Sequence, residues 1–137
     1  MKSPVQRYAA LQATMESLKA AAERDLGRAM RHRQDLGRQL AELQSALQNQ
    51  SLFGDLVLAA AIRQIKNLTG RIRESDATIT KLRKRAVDCL LKVKRVDVMA
   101  EHARREMAAK SARAELTELT DQQAGRRRTS LPQASGP

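Results

Sequence analysis

The sequence predicts an all-α fold in which two long helices pair as an antiparallel coiled-coil hairpin. Three observations support this prediction. Ala, Leu, Glu, Lys, Arg and Gln dominate a chain with 30% charged residues, one Tyr, one Phe and no Trp. Proline occurs only near the ends, as Pro4, Pro132 and Pro137, so none interrupts a long helix. Apolar residues recur in steps of three and four, which is typical of a helix that buries one face.

The first helix is predicted to run from about residue 4 to 49. Ser3, Pro4 and Gln6 together resemble a helix start, with Ser at the N-cap and Gln completing a capping box. Two four-residue steps near Ala22 predict a stutter, which is a local change of supercoil. The stripe is interrupted at Arg33. Its apolar positions are Tyr8, Leu11, Met15, Leu18, Ala22, Leu26, Ala29, Leu36, Leu40, Leu43 and Leu47.

The second helix is predicted to be longer, from about residue 55 to 123. Polar residues and a glycine predict a turn at about residues 50–54, and Asp55 is the N-cap candidate. Steps of seven give one row from Leu58 to Met107 and a second from Ala61 to Ala103, which form an a/d seam. Gly125 is expected to end this helix. Residues 1–123 would then form the hairpin, and residues 124–137 a disordered basic tail.

The two helices differ in length, so one end of the second is expected to lack a partner within the chain. A short loop favours antiparallel pairing. If Asn49 opposes Asp55, Pro4 opposes Ala100, and residues 101–123 protrude. Their apolar side chains suggest an external partner. Apolar residues at the predicted tip either close the coil or form a contact patch. They are Leu52, Phe53, Leu56 and Val57.

Composition excludes several classes of protein. The net charge of +11 is concentrated in residues 55–97, which hold eleven Lys and Arg against five Asp and Glu, and attracts acidic partners non-specifically. Cys89 is the only cysteine, so no intrachain disulfide can form, and a reducing cytosol is expected. We expect neither a signal peptide nor a membrane-spanning segment, since no apolar run approaches about 18 residues.

No catalytic, metal or cofactor site is predicted, and we do not expect an enzyme. His32, His102 and Cys89 would lie too far apart along a hairpin to share one metal ion. A two-helix hairpin has no cleft for a small-molecule ligand. The basic segments at residues 81–85 and 92–95 interleave with the seam and lack aromatic side chains for stacking, so nucleic-acid binding is not expected.

The layout resembles the FliJ/YscO-like stalk proteins of bacterial flagellar and type III secretion export. The likeness lies in residues 53–72, in residues 104–119 and in the Arg-rich end that follows. The resemblance implies a non-enzymatic stalk, similar to the γ stalk of rotary ATPases, that couples a hexameric export ATPase to a membrane export gate. It also implies a cytoplasmic protein, peripheral at the inner-membrane secretion apparatus. Some members bind secretion chaperones.

The resemblance implies two sets of binding residues and a chain that is monomeric in isolation. The gate contact would lie at Leu52, Phe53, Leu56 and Val57. The ATPase-binding residues would be Tyr8, Leu11, Arg104, Arg105, Met107, Arg113, Leu116 and Leu119. Flagellar and virulence systems both remain open. So do two other hypotheses, a self-associating coiled-coil scaffold that dimerises through its overhang and, less expected, a non-specific nucleic-acid-binding protein.

Overall fold

The computed structural model describes residues 2–49 and 54–130, and these residues form two α-helices and no strand. α1 comprises Pro4–Asn49 and α2 comprises Asp55–Ser130, with 46 and 76 residues respectively. The second helix is therefore the longer, as predicted. The chain divides into two compact units: unit 1 holds Met1–Gln12 and Arg95–Pro137, and unit 2 holds Ala13–Lys94.

The capping box predicted for α1 is confirmed. The amide N–H of Gln6 donates to Ser3 Oγ at 3.2 Å, and the amide N–H of Ser3 donates to Gln6 Oε1 at 3.1 Å. The carbonyl of Ser3 also accepts the first helical bond, from the amide of Arg7 at 3.0 Å. These bonds satisfy amides that have no partner inside the helix, and such a cap contributes about 1 kcal/mol.

At the start of α2 the N-cap is Gly54, so the assignment of Asp55 to that position was wrong. The Gly54 carbonyl accepts from the amides of Val57 and Leu58 at 3.0 and 3.1 Å. Asp55 lies in the first turn instead. An acidic residue in the first turn is favourable because the N-terminal end of the helix dipole is positive, even though Asp55 does not cap the helix.

The predicted end of α2 was also wrong, because the helix continues through Gly125 to Ser130. Gly125 does not adopt the positive φ that would end a helix. Arginines follow at 126–128, and arginine is both a good helix former and favourable near a C-terminal helix end. Of the predicted disordered tail, residues 131–137 lie outside the described residues.

The buried face of α1 differs from the stripe predicted for it. In unit 2 an unbroken series of buried and half-buried residues alternates steps of four and three, so the stutter near Ala22 was wrong. Leu18 had been placed on this face, but it is 45% exposed. Lys19 takes the position instead, and lysine can lay its alkyl stem along an apolar surface. The series is Met15, Lys19, Ala22, Leu26, Ala29, Arg33, Leu36, Leu40, Leu43 and Leu47.

The two heptad rows of α2 are confirmed between Ala61 and Ala103. Every residue of these rows is buried or half-buried, from Ala61 to Val93 in unit 2 and from Val96 to Ala103 in unit 1. The outermost members were wrong: Leu58 and Met107 are 43% and 41% exposed. The seam is therefore shorter at both ends than the apolar pattern that predicted it.

Polar contacts join α1 and α2 within each unit. In unit 2, Arg33 Nε donates to Asp76 Oδ1 at 2.8 Å, and Arg85 Nη1 lies 3.5 Å from Asp25 Oδ2. Arg33 was predicted to interrupt the seam, yet it occupies a seam position and is paired. Its guanidinium lies 2.9 Å from the place where a side chain on Gly37 would begin, so glycine leaves room for it.

The contact in unit 1 does not fit the predicted register. Gln12 Nε2 donates to Asp97 Oδ1 at 2.9 Å. With Pro4 opposite Ala100, Gln12 would have opposed residue 92, five residues earlier on α2. The prediction rested on loop length alone. Polar pairs beside an apolar seam select one register among several that similar apolar rows would accept.

Candidate functional site

The C-terminal part of α2 is a helix that exposes all of its faces. We call residues 104–127 the α2 end; every one of them is exposed. The seam stops immediately before it, since Ala100 and Ala103 are 2% and 8% exposed. Within the α2 end, Met107, Leu116 and Leu119 are 41%, 66% and 57% exposed. Large apolar side chains that no other part of the described residues covers, such as Leu116 and Leu119, are typical of a protein-binding surface.

The two predicted arginines at the start of the α2 end share one carboxylate. Arg104 Nη2 lies 3.3 Å and Arg105 Nε 3.2 Å from the Glu101 side chain. All three side chains are at least half exposed. Exposed ion pairs of this kind contribute about 0–1 kcal/mol. The arginines can therefore exchange Glu101 for a partner's carboxylates at little cost.

Two threonines form back-bonds along the α2 end. Thr117 Oγ1 donates to the carbonyl of Arg113 at 2.9 Å, and Thr120 Oγ1 donates to the carbonyl of Leu116 at 2.8 Å. In both bonds the hydroxyl is paired with a carbonyl of its own helix, one turn earlier. The predicted site residues Arg113 and Leu116, whose carbonyls accept these bonds, lie within α2.

The start of α1 provides the other predicted ATPase-binding residues, Tyr8 and Leu11. Tyr8 is half-buried and Leu11 is 37% exposed. Both line a shallow depression of about 430 Å³ with Pro4 and Arg7. Unit 1 holds these residues together with the α2 end. The structure therefore groups the whole predicted ATPase-binding set in one unit.

The predicted tip patch is exposed where it can be described. Leu52 and Phe53 lie outside the described residues. Leu56 and Val57 are 86% and 50% exposed. Sequence reasoning missed Ile62, which is 44% exposed, and placed Leu58 in the seam. Ala61 is the first residue of α2 that is not exposed. The first turns of the helix therefore form a wider apolar surface than predicted.

The residues considered for metal binding or catalysis do not gather into a site. Cys89 is half-buried and His32 is exposed, both in unit 2. His102, in unit 1, is exposed and lies 3.0 Å from Glu106 Oε1. Across residues 2–49 and 54–130, no three His, Cys, Asp or Glu side chains are placed to hold a metal ion.

Comparison of the chain with protein-family models, curated proteins and solved structures finds no match. Neither α1 nor α2, over the part of the chain that the structure describes, contains a segment apolar and long enough to cross a membrane.

Proposed function

We propose that α1 and α2 pair along their seams as an antiparallel coiled-coil hairpin. The ion pairs of unit 2 support this arrangement. From Asp25 to Arg33 the chain advances eight residues on α1, whereas the partners, Arg85 and Asp76, step back nine residues on α2. In a parallel pair both numbers would rise together. Alternating burial on both helices gives each seam the spacing that knobs-into-holes packing requires.

Cross-linking tests the hairpin directly. In a Cys89→Ser background, Asp25→Cys with Arg85→Cys should be joined efficiently by a bis-maleimide spanning about 10 Å, which suits side chains on neighbouring helices. The matched control, Asp25→Cys with Arg71→Cys, keeps the same face of α2 but moves the second thiol 14 residues, or about 21 Å, along it. Efficient intramolecular cross-linking of the control, or none of the first pair, would contradict the proposed pairing.

The hairpin acts, on this proposal, as the non-enzymatic central stalk of a type III protein export apparatus, flagellar or virulence. The α2 end inserts into the hexameric export ATPase, and the apolar surface at the start of α2, at Leu56, Val57 and their neighbours, contacts the membrane export gate. The chain would work in the cytoplasm at the inner-membrane apparatus. Secretion chaperones are further candidate partners.

The observation that carries this proposal is the exposed α2 end. It extends about 35 Å beyond the seam at 1.5 Å per residue. A rod of this length, with exposed Leu116 and Leu119 and with arginines at its base, suits insertion into a ring of subunits. Such a rod can contact several subunits without catalytic groups of its own.

Charge reversal at the base of the α2 end tests the stalk function. Arg104→Glu with Arg105→Glu should reduce stimulation of the purified export ATPase by at least about tenfold, because repulsion replaces attraction at the partner's carboxylates. Helicity measured by circular dichroism should remain unchanged, since both side chains form only surface pairs.

The control for this experiment is Arg24→Glu with Arg28→Glu, which makes the same change in net charge at exposed positions of unit 2. This variant should stimulate the ATPase like the unmodified protein. Normal stimulation by the Arg104 and Arg105 variant would show that the wrong surface has been assigned. An equal loss of stimulation in both variants would mean that the change in net charge alone explains the effect.

Self-association is the second candidate function, and the exposed Leu116 and Leu119 favour it specifically. These two side chains lie three residues apart and could pack against a second copy. Sedimentation over a roughly hundredfold range of concentration separates the two functions by mass action. The stalk proposal requires a monomer throughout. A dimer that is lost on replacing Leu116 and Leu119 with Ser would favour the scaffold.

A further inference from the structure

Unit 2 carries a shallow groove that the stalk proposal does not use. Its volume is about 370 Å³. One of its lining residues belongs to α1 and the other six belong to α2. We call it the basic groove. Its lining residues are Leu18, Lys81, Lys84, Arg85, Asp88, Cys89 and Lys92.

The charge of the basic groove is poorly compensated. Four cations line it against one carboxylate, that of Asp88. Arg85 pairs with Asp25 across the helices at 3.5 Å. Within the described residues, Lys81, Lys84 and Lys92 form no ion pair. Their mutual repulsion would be relieved by an anionic partner, which the local positive potential also attracts.

The apolar lining of the basic groove distinguishes between kinds of anionic partner. Leu18 is 45% exposed there, and Cys89 is half-buried. A nucleic acid would present phosphates to the lysines but would gain nothing from Leu18. Base stacking needs aromatic side chains, and the basic groove is lined by none. A polypeptide with both carboxylates and an apolar side chain matches both features.

We propose that the basic groove binds an acidic amphipathic helix of a partner protein. Lys81 and Lys92 are eleven residues apart, about 16 Å along α2, which corresponds to three turns of a bound helix. Carboxylates spaced three or four residues apart on that helix would meet Lys81, Lys84 and Lys92. An apolar residue on its inner face would cover Leu18, as in other helix-in-groove complexes.

The test uses a fluorescein-labelled peptide of about 21 residues, with leucine at the a and d positions of each heptad and glutamate at most others. Binding to the full chain is followed by fluorescence anisotropy at about 0.1 M salt. Lys81→Gln with Lys84→Gln and Lys92→Gln should weaken binding at least about tenfold. Leu18→Ala should weaken it about fivefold through lost apolar contact.

The matched control is Arg24→Gln with Arg28→Gln and Arg31→Gln, which removes the same charge from exposed positions of α1 in unit 2. It should weaken binding less than about twofold. Equal losses in the two triple variants would overturn the proposal, since net charge alone would explain them. So would the absence of binding, or equal binding of a scrambled peptide that has the same composition without an amphipathic face.

Two further probes address other anions. The same assay is run with duplex DNA and with vesicles of anionic phospholipid. If either bound more tightly than the peptide, and if that binding depended on Lys81, Lys84 and Lys92, the proposal would be overturned in favour of that partner. The peptide assay contains no ATPase and uses residues outside the α2 end. Failure here would leave the stalk proposal standing, and failure of ATPase stimulation would leave this one standing.

Discussion

Replacing Leu36 with alanine is expected to lower the free energy of unfolding by about 3 kcal/mol. Leu36 is 1% exposed and, with Leu68, is among the largest fully buried side chains of the described residues. Truncating it removes buried methyl groups and leaves a cavity between neighbours that cannot fully close. Urea denaturation followed by circular dichroism measures the change, with the slope of the transition checked for two-state behaviour.

Leu18→Ala is the matched control for this substitution. It makes the same chemical change on the same helix and within unit 2, but at a side chain that is 45% exposed. Its expected cost is below about 1 kcal/mol. If the two variants lost equal stability, Leu18 would face the core after all, and the stutter inferred from the apolar pattern would be right.

The seam of α2 could be predicted from sequence because its members are nearly all apolar. α1 offered a less reliable signal. Gln12, Lys19 and Arg33 occupy half-buried seam positions, whereas Leu11 and Leu18 beside them are exposed. Long polar side chains can cover an apolar surface with their stems while their polar ends reach solvent or a partner. A prediction from residue type alone therefore assigned Leu11 and Leu18 to the seam in place of Gln12 and Lys19.

The register and the end of α2 could not be predicted for related reasons. Loop length suggested one register, but the Gln12–Asp97 and Arg33–Asp76 contacts belong to another. Such contacts depend on which polar ends meet across the seam, and the heptad pattern does not contain that information. Gly125 suggested a helix end, yet glycine is only permissive: it allows a positive φ without imposing one.

The exposure of the α2 end could be predicted from the sequence. Comparing two helix lengths is enough to predict an overhang, although Ala103 is still buried and the exposure begins at Arg104. The apolar surface at the start of α2 was underestimated, because Leu58 fits the heptad row and was therefore assigned to the seam. Its observed exposure of 43% places it on the surface instead. Neither pattern specifies a partner, since amphipathic helices of similar charge bind many different proteins.

Aspartate at Ala100 is expected to separate the helices of unit 1. Ala100 is 2% exposed, and a carboxylate there would lose its hydration within the apolar seam. The cost of such a buried charge is about 3 kcal/mol or more, which local opening would relieve. Amide hydrogen exchange should become fast in residues 4–12 of α1, because these residues share unit 1 with Ala100.

Ala114→Asp is the matched control for the Ala100→Asp variant. Ala114 belongs to the same heptad row, two heptads further along α2, and is exposed. Aspartate there should change stability by less than about 0.5 kcal/mol and leave exchange in α1 unaltered. Slow exchange in the Ala100→Asp variant would mean that the seam ends before Ala100. Destabilisation by Ala114→Asp would mean that the α2 end is already covered in solution, so that a free surface for the ATPase would not exist in the isolated protein.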